Sequence, residues 1–230
     1  MDEDSDTYWQ LLKLNFKVKY RNFKEFCAIV RRFYKNRQFC QCDLLLLREY
    51  LWQNPFAISK KFLIRHGEKN VHAYGETPLT SLAKIAEACQ ITPKDVVYEL
   101  GCGRGRGCFW LHCFYQCRVV GIDFVPSFIQ KAEKVRKRCD LEAIDFRCED
   151  MSKSDFSGGT VFYLYGTCLE DSLIKKLIKK FKQLPSGTKI MTVSYPLSDY
   201  SSGFNLHRTL SVPFTWGEGI VYIQEVKNSK

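Results

Sequence analysis

Hydrophobic positions keep a helical period through the first quarter of this chain and then change character. From residue 7 to 53, apolar and aromatic side chains recur three and four apart: Leu12, Phe16, Tyr20, Phe23, Cys27, Val30 and Tyr34, then Leu44, Leu47 and Leu51. Lysines and arginines fill many of the intervening positions. Residues at this spacing share one helix face, so the segment reads as two or more amphipathic helices packed along that stripe. Pro55 interrupts, residues 56–66 read as a further short helix, and Gly67-Glu-Lys-Asn70 reads as a linker.

From residue 74 the pattern differs. Tyr74-Gly75-Glu76 is a loop, and Thr77 with Pro78 supplies an N-cap and a first-turn proline to a helix through Gln90. Apolar runs and helical patterns then alternate. Strand 96–100 precedes helix 107–116, strand 118–123 precedes helix 126–139, and strand 144–148 runs into a loop. Strand 160–165, helix 170–183 and strand 188–194 follow. This alternation with short connections predicts an α/β fold with a doubly wound, mostly parallel sheet. After Pro196 the helices stop, and residues 204–211 and 220–226 read as an antiparallel hairpin. The expected organisation is a basic helical accessory region, residues 1–70, before a domain of residues 71–230.

One turn carries most of the chemistry. Val97-Tyr-Glu-Leu-Gly-Cys-Gly-Arg-Gly105 is an apolar strand broken by alternating glycines at Gly101, Gly103 and Gly105, with a helix after it. Such a turn lets backbone approach a ligand where a Cβ would collide, and the helix start adds free N–H donors. The spacing is neither G-x-G-x-x-G nor a phosphate-cradling P-loop. A carboxylate, Glu99, stands inside the motif; it would repel a pyrophosphate but suits an ammonium group and sugar hydroxyls. In a doubly wound sheet, ligands sit at the carboxyl ends of the strands. The second strand ends in Asp123, 24 residues beyond Glu99 and placed to accept from both ribose hydroxyls. The third ends in Cys148-Glu-Asp-Met151, where a carboxylate and an apolar neighbour can take an adenine. The fourth ends in Tyr165-Gly166-Thr167.

Composition narrows the setting. No apolar run approaches the roughly 18 residues needed to span a bilayer, and the acidic start Met1-Asp-Glu-Asp-Ser-Asp6 lacks the basic region of a secretory signal, so cytoplasm is expected. Eleven cysteines are scattered without any C-x-x-C pair, which reads as buried free thiols rather than a zinc site or a disulfide framework. The four histidines show no ligand spacing. Of a net charge of +10, residues 7–70 hold 14 Lys/Arg against 4 Asp/Glu. Such a surplus implies an acidic partner if it is more than a solvated face, and nucleic acid stays open because basic and aromatic residues interleave at Lys17–Lys24.

With these motifs the chain resembles the class I, seven-stranded S-adenosylmethionine-dependent methyltransferases. The resemblance covers roughly residues 74–226 and implies S-adenosyl-L-methionine as cofactor. It implies that Glu99, Gly101, Cys102, Gly103 and Gly105 hold the methionine and ribose portions. Asp123 would take the ribose with Phe124 against the adenine, Asp150 and Met151 the adenine itself, and Tyr165 would lie beside the transferred methyl. The loop at Tyr74, Glu76 and Thr77 is similar to that of the Dot-type (non-SET) lysine methyltransferases, where it closes over the methionine end.

A protein lysine is therefore the expected acceptor, with Tyr74 and Tyr165, and Tyr195 beyond the fifth strand, as channel-lining candidates. Glu76 is the candidate for a proton-accepting or orienting role. The fourth strand lacks the Asn/Asp-Pro-Pro-Tyr tetrapeptide that serves adenine or glutamine amines, which argues against those substrates. RNA or a small molecule as acceptor, and a non-catalytic scaffold keeping the fold, are the alternatives.

Overall fold

The computed structural model describes residues 3–68, 70–72, 74–167 and 169–227, with side chains at Trp9 and from Phe16 onward. Lys69 of the expected linker, Cys168 and the Leu12 side chain lie outside this range. Three helices come first: α1 (Glu3–Phe33), α2 (Arg37–Glu49) and α3 (Pro55–Arg65). Asn36 caps α2 by accepting from Phe39 N at 3.0 Å, and its amide donates to Cys113 O at 2.8 Å on a later helix. Asn54 caps α3, with Pro55 in its first turn.

The rest alternates as expected. After α4 (Leu79–Cys89) come β1 (Val96–Leu100), α5 (Arg106–Tyr115), β2 (Arg118–Asp123), α6 (Pro126–Arg138), β3 (Ile144–Cys148), β4 (Val161–Leu164), α7 (Asp171–Phe181) and β5 (Lys189–Val193). The strands β6 (Phe204–Pro213) and β7 (Glu218–Val226) close the chain. Their spatial order is β3-β2-β1-β4-β5-β7-β6, parallel except for β7, which pairs antiparallel with β5 and β6. The order reverses between β1 and β4, which opens a crevice at their carboxyl ends. Alternate residues of the strands feed two cores: Val97, Val119, Val161 and Tyr163 face α4, α5 and α6, while Tyr98, Val120, Phe162 and Ile190 face α7. No helix among the described residues is long and apolar enough to cross a membrane.

Phe39, Cys42 and Leu46 of α2, and Tyr50 just beyond its end, are buried in the same core as α5 and α6. The stripe expected to pack is a different matter. Phe16, Tyr20, Phe23 and Val30 are exposed, Phe16 at 73%, and α1 instead buries Ile29 and Phe33 on its opposite side. Periodicity identifies a stripe; it does not say which way the stripe faces. The thiols also divide: Cys42, Cys89, Cys102, Cys108, Cys113 and Cys117 are buried, whereas Cys27 and Cys148 are exposed.

Thr77 is not the N-cap of α4. Pro78 occupies that position and has no side-chain donor or acceptor to offer. The cap comes from α1: Glu25 accepts from Thr80 N at 3.1 Å and from Thr80 Oγ1 at 2.6 Å. A carboxylate at a helix start satisfies an orphan N–H and the partial positive charge together. Thr77 is thereby free to hydrogen-bond the Tyr163 hydroxyl at 2.5 Å.

Candidate functional site

The glycine turn follows β1 as the sequence requires. Gly103 and Gly105 have φ of +52° and +73°, in the left-handed region that side chains avoid. A Cβ on Gly103 would lie 2.9 Å from the Tyr74 ring, and one on Gly105 2.5 Å from the Phe146 ring. Gly101 N and Cys102 N both donate to Ile122 O, at 2.8 and 2.9 Å, which fixes the turn to the end of β2.

Two carboxylates flank it. Asp123, at the end of β2, accepts from Gly103 N and Val125 N, each at 2.9 Å. Glu99, on β1, accepts from the Cys108 thiol at 3.0 Å and lies where a Cβ on Gly107 would be, 2.5 Å away. Both are buried, and among the described residues neither pairs with a cation. Burial pushes Glu99 up to about 7 and Asp123 up to about 6, because a carboxylate without water or a counter-charge is disfavoured.

The Tyr74-Gly75-Glu76 loop covers this turn. Arg104 of the turn clasps Glu76 with two hydrogen bonds, Nε to Oε1 at 2.5 Å and Nη2 to Oε2 at 2.6 Å. The Tyr74 hydroxyl also donates to Glu76. Burial pushes the Glu76 carboxyl up, but the Arg104 charge and these hydrogen bonds outweigh it and hold Glu76 below the usual carboxylate range. An ionised, fully engaged carboxylate is a weak base, which leaves Glu76 the orienting part of its expected role. The Tyr74 ring packs on Phe56 and Phe128, each centroid 5.0 Å away. The space enclosed by this loop, Glu99, the glycines and Tyr165 is about 30 Å³.

Tyr165 stands at the other side of the loop, where a Cβ on Gly75 would meet its ring at 2.8 Å. Its hydroxyl accepts from Trp216 Nε1 at 2.9 Å, and its ring stacks on Phe214 at 5.5 Å, which in turn stacks on Trp216 at 5.4 Å. Sequence reasoning missed Phe214 and Trp216, which lie in the β6–β7 turn. The pairing of a predicted hairpin with two aromatics in its turn was the available signal. Asp150 is exposed and accepts from Ser152 N at 2.8 Å, the geometry of a local turn, while Met151 approaches Gly101. Phe124 is half exposed, edge-on to Phe62 of α3 at 5.3 Å. The Tyr195 hydroxyl lies 3.1 Å from where a Cβ on Gly166 would be, beside Tyr165 at the end of β4. Its ring packs with Tyr200 in the core on the α7 side of the sheet.

Comparison with known proteins points to the same part of the chain. Residues 97–184 match a family described as "Methyltransferase domain". The chain is 29% identical over 156 residues to a histone-lysine N-methyltransferase, H3 lysine-79 specific, of Dictyostelium discoideum, covering 61% of this chain and 8% of that protein. It is 26% identical over 181 residues to the sterol 24-C-methyltransferase of Saccharomyces cerevisiae, covering 75% and 44%. The chain thus spans under half the length of these relatives. An RNA methyltransferase from Salinibacter ruber, solved with S-adenosyl-L-homocysteine, superposes with a TM-score of 0.55 at 26% identity, covering 67% of this chain and 95% of that one. The seven-stranded sheet is the Rossmann-like fold of class I methyltransferases, and the stretch that matches the methyltransferase family carries the glycine turn and the first four strands.

The residues present fit S-adenosylmethionine as cofactor. Glu99 and Asp123 are buried acceptors without counter-charge, the partners that an ammonium group and ribose hydroxyls require. The backbone at Gly103 leaves no room for a side chain.

Proposed function

We propose that this chain is an S-adenosylmethionine-dependent methyltransferase that transfers methyl to a lysine side chain of a protein. The observation that supports it is the pair of uncompensated buried carboxylates, Glu99 and Asp123, on neighbouring strand ends around a turn that excludes side chains. Glu99, Gly101, Cys102, Gly103 and Gly105 would hold the methionine and ribose portions, and Asp123 the ribose hydroxyls. Phe124, Asp150 and Met151 would lie at the adenine. Tyr74, Glu76, Thr77 and Tyr165 would surround the methyl end. The cofactor supplies a methyl group already activated on sulfur, so the protein must align the reactants and exclude water.

An amine acceptor has to arrive uncharged, although a free lysine has a pKa of about 10.4. Burial against Tyr165, Phe214 and Trp216 disfavours the ammonium form. The matched stretch of the histone-lysine enzyme supports a lysine acceptor. A second reading, transfer to RNA, is favoured by the cation surplus of residues 7–70 and by the likeness to an RNA methyltransferase.

Incubation of the purified chain with methyl-labelled cofactor and extract of its own cells tests both. Label that survives nuclease and is released by protease as methyl-lysine supports the first reading; label lost to nuclease moves the acceptor to RNA. No transfer, with no calorimetric uptake of S-adenosylhomocysteine, removes the methyltransferase reading altogether.

A further inference from the structure

Between α1, the first turn of α4 and the β6–β7 turn lies a cavity of about 660 Å³. It shares Glu76, Thr77, Arg104 and Arg106 with the small space over the glycine turn, so an occupant reaches the residues that cover the methyl-donor site. Six cationic side chains and two carboxylates line it. Both carboxylates are already engaged, Glu25 with Thr80 and Glu76 with Arg104. Arg106 is held by Asp43, and the Lys24 ammonium lies over the Tyr20 ring at 4.5 Å.

Three cations are left over. Arg21, Arg32 and Lys84 pair with no carboxylate among the described residues. The Nε of Arg21 is buried without any hydrogen-bond partner. A buried guanidinium nitrogen left unsatisfied is destabilising, and a planar oxyanion supplies what it lacks. Phe26, Ile29 and Phe214 add apolar lining. A second copy docked through this same face is a poor occupant, because Arg21, Lys24 and Arg32 of its α1 would meet the same cations.

We propose that this cavity receives an acidic peptide segment of the acceptor, with carboxylates on Arg21 and Arg32 and the lysine to be methylated directed toward Tyr165. The assignment rests on the protein-lysine reading above. A cavity of about 660 Å³ is of the size that takes ligand-sized groups, which suits a short stretch of side chains, whereas single-stranded nucleic acid binds along an extended cationic groove.

The test is fluorescence anisotropy with a labelled glutamate-rich peptide containing one lysine, an arginine-rich peptide of the same length, and a single-stranded RNA oligonucleotide. Each is titrated into the full chain with S-adenosylhomocysteine present. The acidic peptide is expected to bind best, to weaken roughly tenfold or more in Arg21→Gln/Arg32→Gln, and to weaken in high salt. Lys84→Gln, on α4 across the cavity, is expected to weaken it independently, which guards against misfolding of the double variant. Equal binding of the two peptides, unchanged binding in the folded variants, or tighter binding of RNA that the variants abolish would overturn the proposal. Calorimetry with S-adenosylhomocysteine runs alongside. Acidic-peptide binding lost in the variants while the nucleoside never binds supports the cavity and removes the methyltransferase reading separately.

Discussion

Arg106, in the first turn of α5, donates two hydrogen bonds to Asp43 on α2, at 2.6 and 2.7 Å. Asp43 is fully buried and also accepts from the Tyr34 hydroxyl at 2.9 Å. The helix that follows the glycine turn is therefore tied to the N-terminal region by a buried ion pair. Removing one partner strands the other in the interior, so Asp43→Ala is expected to lose about 3–5 kcal/mol in urea unfolding. For the same reason, a fragment starting at residue 71 is expected to unfold, with loss of the cooperative transition.

Stability and ligand uptake should respond to pH in opposite senses. Burial raises Glu99 and Asp123 from 4.5 and 3.8 to about 7 and about 6, so between roughly pH 4 and 7 the folded chain binds more protons than the unfolded one. Stability from these two groups is then fully present below pH 4 and declines as pH rises through 7. A cationic or hydroxyl-bearing ligand prefers both ionised, so S-adenosylhomocysteine should bind more tightly at pH 8 than at pH 5.5, with proton release on binding. Calorimetry in buffers of different ionisation enthalpy measures that release; a flat profile in the unaltered chain, or a slope unchanged in Glu99→Gln, would contradict it.

The two turn glycines should fail differently when given a Cβ. Gly105→Ala combines a left-handed backbone with a Cβ 2.5 Å from Phe146, and a loss on the order of 2–4 kcal/mol is expected in thermal or urea unfolding. In Gly103→Ala the clash is with Tyr74, a covering side chain on a loop. Its main effect should be weaker uptake of S-adenosylhomocysteine, with a smaller loss of stability.

Trp216→Phe removes the donor to the Tyr165 hydroxyl while keeping an aromatic on Phe214. Binding of S-adenosylhomocysteine should stay within about twofold, while turnover with the acceptor falls. A matching loss of both would mean that Trp216 supports the fold rather than the acceptor side.

What the sequence disclosed follows from how local each signal is. Strands 118–123 and 144–148 could be bounded to the residue because apolar runs end at charges and turns. The three glycines could be read as a turn that brings backbone close to a ligand because they carry no Cβ; their left-handed φ values are set by the structure. Thr77 was misread because the α4 cap comes from Glu25, 55 positions away. The same holds for Asp43 with Arg106 and for Trp216 with Tyr165: each pairing is set by tertiary packing and has no sequence spacing of its own. The outward stripe of α1 was readable as a stripe, but its direction depends on what Ile29 and Phe33 find to pack on.

The space of about 30 Å³ over the glycine turn, room for a water or two, carries a kinetic corollary. That space lies over Glu99 and the glycines, so the methionine end of the cofactor is expected to seat only as Glu76 lets go of Arg104 and the Tyr74 ring moves off Gly103. Seating is then gated by a first-order event internal to the protein, and at high ligand concentration the observed association rate should level off at the frequency with which that latch springs open.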